Sequence, residues 1–223
     1  VDFDPQGNAT TGLGIDRSSI KTSSYDVLID GVDVKSAILP TGIPLLSIVP
    51  ASVHLAGAEI ELVTAVNREY RLEVGLGALR IKEFDYILID CPPSLNLLTL
   101  NALTAAQAVL VPLQVEFYAL EGLSHLMSTI ERVRRAFNPN LEIQGVVLTM
   151  FDRRNNLSEM VAADVRQHFG NKVYETIIPR NVRISEAPSF GKPVLLYDHQ
   201  CAGSRAYMHL AGELLQQERR IAA

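Results

Sequence analysis

The sequence predicts an α/β protein: a doubly wound, mostly parallel sheet with helices on both faces. Three observations carry this. Short aliphatic runs recur along the 223 residues, each bounded by Pro, Gly or polar residues, as buried strands are. Apolar stripes at three- and four-residue spacing lie between them, which is the mark of amphipathic helices. The strand runs are nearly continuous rather than alternating, as in strands covered on both faces by βαβ crossovers.

The elements follow in order. Strands are expected at Leu45 to Val49, Tyr86 to Ile89, Val109 to Leu113, Ile143 to Thr149 and Val173 to Ile178. Leu123, Leu126, Met127, Ile130, Val133, Arg134 and Phe137 mark one helix, Arg134 being its one polar member, and Asn138-Pro139 stops it. Leu157, Val161, Val165 and Phe169 mark a second, ended by Gly170. A last helix runs from about Ser204 to Arg219, with Tyr207, Leu210, Ala211, Leu214 and Leu215 on its apolar positions. No repeat, low-complexity tract or linker interrupts the pattern, so residues 1–223 are read as a single domain.

Composition narrows the class. At 48% hydrophobic and 20% charged residues, the chain can build a sizeable core. Two cysteines exclude a disulfide scaffold and fit a reducing, cytoplasmic setting. No apolar run approaches the ~18 residues of a membrane span, and no segment reads as a signal peptide. The net charge of −5 is unevenly spread. Residues 1–130 hold 7 basic and 15 acidic residues, whereas residues 131–223 hold 13 basic and 10 acidic ones. A basic C-terminal part can serve a polyanion if its arginines converge; otherwise it is a solvated surface.

Function in such sheets sits at the C-terminal ends of strands. The first of these is Val1-Asp2-Phe3-Asp4-Pro5-Gln6-Gly7-Asn8. A type I turn, with Asp4 first, Pro5 second and Gly7 fourth, accounts for part of it but not for Asp2. The two acids are read as doing different jobs, one at a metal or phosphate site and the other orienting a water. The second is Tyr86-Ile87-Leu88-Ile89-Asp90-Cys91-Pro92-Pro93-Ser94, four apolar residues ending in an acid. That is the Walker B pattern, in which the acid holds Mg²⁺ beside nucleotide phosphates. Cys91 reads as a small packed residue. The third is Leu148 to Asn156, a strand followed by a polar, basic loop whose plain reading is a solvated turn with Asn156 or Ser158 capping the next helix. Beyond it, Ile178-Pro179-Arg180-Asn181-Val182-Arg183-Ile184-Ser185-Glu186-Ala187-Pro188 forms another basic loop after a strand. The five histidines show no metal spacing.

Taken together, these strings resemble one family. Asp2 to Gly14, Ile87 to Ser94, Glu116 to Leu123, Leu148 to Leu157 and Ile178 to Pro193 are similar, in the same order, to the motifs of ParA/Soj-type partitioning ATPases of the deviant-Walker P-loop class. The resemblance covers nearly the whole chain. It implies a P-loop NTPase-like fold, ATP and Mg²⁺ as ligands, a homodimer formed on ATP binding, nonspecific DNA binding, a ParB-type partner that stimulates hydrolysis, and a place on the nucleoid rather than a membrane.

Carried over by position, it implies that Asp4 positions or activates the attacking water and that Asp2 supports the phosphate and Mg²⁺ site. Asp90 is the Walker B acid, holding Mg²⁺ through water. Met150, Pro179, Arg180 and Asn181 lie near the adenine. Arg154 and Arg183 are the leading DNA contacts, with Lys192 and Arg205 as helpers. The family's P-loop, Lys-Gly-Gly-x-Gly-Lys-Thr-Thr, normally precedes the Asp-x-Asp-Pro motif. The sequence opens at Val1, at what reads as the end of a strand, so one βα unit of roughly 30 residues is expected to be missing. Two readings follow: a partitioning ATPase whose start is not in the sequence, or a non-enzymatic relative that binds DNA or a partner without hydrolysing ATP. A P-loop enzyme of biotin or nitrogen metabolism fits less well, since no Cys pair suits a bridging iron–sulfur cluster.

Overall fold

The computed structural model describes residues 1–79 and 84–221, the side chains of the last two excepted. The chain divides into two compact units. The first comprises Val1–Gln107, Ile130–Leu141 and Pro188–Lys192; the second comprises Ala108–Thr129, Glu142–Ala187 and Pro193–Ala223.

In the first unit the chain opens as a short extended segment hydrogen-bonded on both sides. The Asp2 amide donates to the Val49 carbonyl (2.9 Å) and that of Phe3 to Asp90 (2.7 Å), while the Asp90 amide donates to Val1 (2.9 Å). Asp2 and Asp90 form a parallel bridge. Around it lie helices α1 (Asn8–Gly12), α2 (Ser24–Ile29), α3 (Val34–Ala37), α4 (Leu55–Leu62), α5 (Arg71–Leu76) and α6 (Leu97–Ala105). Strands β1 (Leu39–Pro40) and β2 (Ser47–Ile48) pair antiparallel. Phe3, fully buried, packs in one cluster with Leu28, Leu55, Leu62, Leu72 and Leu98. Burying a side chain of that size contributes about 1.5–3 kcal/mol.

One strand expectation shortens here and another fails. Leu45 is fully exposed with φ 63°, so the strand starts at Ser47. The strand expected at Tyr86 to Ile89 does not form: the one bridge lies just beyond it, between Asp90 and Asp2, and Tyr86 and Leu88 stay exposed. A strand needs a ladder, and three backbone partners sustain only an isolated bridge.

In the second unit β3 (Ala108–Gln114), β4 (Glu142–Phe151) and β5 (Val173–Pro179) form a parallel sheet in the order β3-β4-β5. The connections are α7 (Ala119–Ala136), whose residues from Ile130 onward are counted in the first unit, and α8 (Asn156–Phe169); α9 (Val182–Glu186), α10 (Val194–Tyr197) and α11 (Ala202–Ile221) follow β5. Side chains alternate across a strand, and β4 shows what that does. Val146 and Leu148 pack with Leu123 of α7 and Val161 and Val165 of α8. Val147 faces the other way, against Tyr174, Ile178 and Leu210 of α11. Helices therefore cover both faces of this parallel sheet. In the edge strand β3 only Val111 is buried.

Candidate functional site

In the first unit three carboxylates gather at the ends of the paired segments. Asp2 is completely buried. Its Oδ2 accepts from the Thr10 amide (2.7 Å) and the Thr10 hydroxyl (2.6 Å), and its Oδ1 from the Asp4 amide (3.3 Å). The Thr10 hydroxyl in turn accepts from the Ala51 amide (3.0 Å), and Ser24 Oγ donates to the Asp2 carbonyl (2.7 Å). Asp2 thus pins α1 to the paired segment.

Asp4 is only half-buried. The chain turns there: the Gly7 amide donates to the Asp4 carbonyl (2.9 Å) and the Gln6 amide to Asp4 Oδ1 (2.9 Å). This is the turn expected from the sequence, and it leaves Oδ2 without a hydrogen bond among the described residues. Asp90 is exposed. Partial desolvation, then the Asp2 and Asp4 carboxylates, push its carboxyl above the ordinary range. The neighbouring Cys91 thiol is pushed up to about 11, mainly by burial, so it stays protonated at neutral pH and packs rather than attacks.

Sequence reasoning missed Thr10 and Arg17. Arg17 Nη1 donates to the Gln6 carbonyl (2.9 Å) and Nη2 to Pro5 (3.3 Å), bracing the turn that carries Asp4. Gly7 sits at φ 65°, and a Cβ there would meet Arg17 Nη2 at 2.9 Å. Thr10 is a turn-type residue inside a helix, and that mismatch was its one legible signal. The Lys192 segment also belongs to this unit. Gly191 lies so close to Gly14 that a Cβ on Gly14 would meet the Gly191 carbonyl oxygen at 2.8 Å. Lys192 itself is exposed.

In the second unit the ends of β4 and β5 bring Met150, Pro179, Arg180 and Asn181 together. Phe151 pairs with Pro179, and the Arg180 amide donates to the Phe151 carbonyl (2.9 Å). Met150 holds φ 55°, a left-handed conformation that costs an L-residue about 1–2 kcal/mol. Asn181 caps α9, its side chain accepting from the Arg183 amide (2.9 Å).

The arginines expected to contact DNA are exposed, and two of the three are engaged in ion pairs. Arg154 pairs with Asp152 through Nη2 (2.8 Å) and Nε (3.0 Å), which lowers the Asp152 carboxyl to about 2. Arg183 pairs with Glu186 (2.9 Å) and Asp198 (3.6 Å). Arg205 is exposed on α11. The cap of α8 is Asn155, whose side chain accepts from the Leu157 amide (3.0 Å), not Asn156 or Ser158. Those two are helical already, and Ser158 is buried.

Among the described residues no group of three His, Cys, Asp or Glu side chains could hold a metal. What the first unit offers is one exposed carboxylate, Asp90, beside a second half-exposed one, Asp4. That donor set suits Mg²⁺, which takes one or two carboxylates and completes its shell with water and phosphate oxygens. Among the described residues no helix is long and apolar enough to cross a membrane.

Comparison with known proteins gives a consistent picture. Residues 1–143 match the family model of the AAA domain. The chain is 62% identical over 220 residues to the chromosome partitioning protein ParA of Caulobacter vibrioides, covering 98% of this chain and 82% of that one. It is 52% identical to the sporulation initiation inhibitor protein Soj of Bacillus subtilis, covering 96% and 84%. Among solved structures, cobyrinic acid a,c-diamide synthase of Mycobacterium smegmatis with bound ATP analogue and magnesium superposes with a TM-score of 0.84 at 36% identity, covering 96% and 80%. The α/β architecture is that of the P-loop NTPases, and the chain belongs to the ParA/Soj family of chromosome-partitioning ATPases.

Proposed function

We propose that this protein hydrolyses ATP with Mg²⁺ to drive chromosome or plasmid segregation. In the ATP-bound form it dimerises and binds DNA nonspecifically on the nucleoid in the cytoplasm, and a ParB-type partner stimulates hydrolysis. The observation that carries the reading is the division of labour among the three carboxylates: Asp2 buried and fully hydrogen-bonded, Asp4 on a braced turn with Oδ2 open, Asp90 exposed at the strand end.

In this reading Asp4 accepts a hydrogen bond from the attacking water and orients it, while Asp2 acts as a positioning residue that holds α1 and the turn in register. Asp90 holds Mg²⁺ through water. When bound with the nucleotide, the ion neutralises phosphate charge. Met150, Pro179, Arg180 and Asn181 border the adenine; the strained Met150 and the Asn181 cap are the local constraints that support this. Arg154, Arg183, Lys192 and Arg205 meet DNA phosphates, where binding is largely neutralisation and counterion release. Exposed ion pairs such as those of Arg154 and Arg183 are worth about 0–1 kcal/mol, so a phosphate displaces their carboxylates at little cost.

Phosphate release with ATP, DNA and a ParB-type partner tests the reading. Asp4→Ala is expected to slow hydrolysis about 10²-fold or more with ATP affinity unchanged; hydrolysis at the wild-type rate overturns the role of Asp4. DNA binding without any ATP binding would replace the reading by that of a non-hydrolysing binder.

A further inference from the structure

The first unit contains a cavity of about 490 Å³ that none of the roles above uses; Arg17, Lys21, Ser23, Asp26, Ser52 and His54 are among its lining residues. Its charge runs against its surroundings. Residues 1–130 are strongly acidic, yet neither Arg17 nor Lys21 forms an ion pair with a carboxylate among the described residues. The one carboxylate in the wall, Asp26, is already engaged, its Oδ2 accepting from the amide and hydroxyl of Ser23 (both 2.7 Å). The Ser23 and Ser52 hydroxyls lie 3.2 Å apart.

Two cations without carboxylate partners, beside a Ser52 hydroxyl that still has its hydrogen to donate, suit a phosphate, which Arg grips through paired N–H groups and Lys as a point charge. The volume falls in the range of small-molecule sites and exceeds what a lone phosphate needs. Arg17 also reaches beyond the cavity. Two of its five N–H donors hold the Gln6 and Pro5 carbonyls (2.9 and 3.3 Å), and three remain for a ligand.

We propose that this cavity binds a small phosphate ester or pyrophosphate through Arg17 and Lys21, and that its occupancy is transmitted by Arg17 to the turn that carries Asp4. A ligand shifts a conformational equilibrium only by its differential affinity for the two states. Here the difference arises because the guanidinium that grips the ligand also braces the turn. A movement of Arg17 is felt by the Pro5 and Gln6 carbonyls that its guanidinium holds. The catalytic consequence of this coupling rests on the water-positioning reading of Asp4; the binding does not.

Amide NMR titration of the protein tests both parts, with pyrophosphate in one arm and AMP in the other to separate a polyphosphate from a nucleotide ligand. Saturable shifts are expected at Ser18, Lys21, Ser52 and His54, and also at Gln6 and Gly7. Lys21→Gln, at an exposed position, should weaken binding about tenfold. Arg17→Gln should weaken it too and abolish the shifts at Gln6 and Gly7. Absence of saturable shifts at the cavity residues in both arms, or affinity unchanged by Lys21→Gln, overturns the site. Cavity shifts that leave Gln6 and Gly7 unmoved overturn the coupling. ATP added to the same sample reports separately on the ATPase reading through the amides of Asp90, Met150 and Arg180, so failure of one is distinguishable from failure of the other.

Discussion

Replacing Thr10 by valine isolates the contact that fixes the acidic motif. The two side chains are nearly isosteric, so the change removes a hydroxyl and little else. That hydroxyl does two things in a fully buried place: it donates to the Asp2 carboxylate at 2.6 Å and accepts from the Ala51 amide at 3.0 Å. A hydrogen bond to a charged group contributes about 1.5–3 kcal/mol, and a buried N–H left without an acceptor costs about 1–3 kcal/mol. The methyl that valine adds returns about 0.8 kcal/mol. The expected net loss is about 2–5 kcal/mol of folding stability. Urea unfolding should show it as a lower midpoint with an unchanged slope. Thr10→Ser, which keeps the hydroxyl, should lose no more than about 1 kcal/mol. If Thr10→Val and Thr10→Ser unfold at the same urea concentration, the hydroxyl does not link α1, Asp2 and Ala51 as argued.

Further outcomes follow from the same geometry. Gly7→Ala should cost about 1–2 kcal/mol for its left-handed backbone alone, measured as a drop in unfolding temperature, and should slow ATP hydrolysis because the new Cβ displaces the Arg17 brace. Arg183→Glu should weaken DNA retention and flatten its salt dependence by about one unit of slope while sparing ATP hydrolysis; unchanged retention on DNA removes Arg183 from the contact set. The Asp152 carboxyl should titrate at about 2. The Arg154 side-chain hydrogen bond is the main cause, so Arg154→Gln should return it toward about 3.9 in a carboxyl NMR titration. A carboxyl with a depressed folded pKa stabilises the protein above its unfolded pKa and loses that contribution as pH falls through the folded one. The Asp152 effect is therefore complete above the ordinary carboxylate range and fades toward pH 2.

The fold was legible where side-chain type alone decides it. In the second unit, β4 and β5 lie under the predicted aliphatic runs to within two residues at either end, because their inward side chains are buried under the helices that cover the sheet. The stripes of α7 and α8 were read for the same reason: each buries one face and leaves the other polar. The first unit was read poorly. α6 carries leucine or alanine on every side and is buried nearly all round, so it has no stripe to detect. α2 is six residues long, too short for a period to emerge, and only its Ser23–Asp26 capping box marks it.

The candidate site shows a sharper limit. Sequence pattern identified Asp2, Asp4 and Asp90 as unusual acids but could not say which of them is solvated, since solvation depends on partners brought in from far along the chain. Asp2 and Asp4 sit two residues apart, a spacing that puts strand side chains on one face, yet one is sealed and the other open. What separates them is Thr10, eight residues on, together with Ala51, whose amide completes the network forty-one residues beyond Thr10. Arg17 teaches the same point from the opposite sign. In the sequence it is one more surface cation; in the fold its carbonyl partners make it a brace. Charge can be read from residues one at a time, but its job is set by which lone pairs and N–H groups the fold leaves unspent. Asp4 Oδ2 and the three remaining donors of Arg17 are what is left over on either side of a single turn. If Asp4 orients water and Arg17 captures a ligand, as proposed, both act on the same four residues, Asp4 to Gly7, through the turn bond at Asp4 and the carbonyls that Arg17 holds.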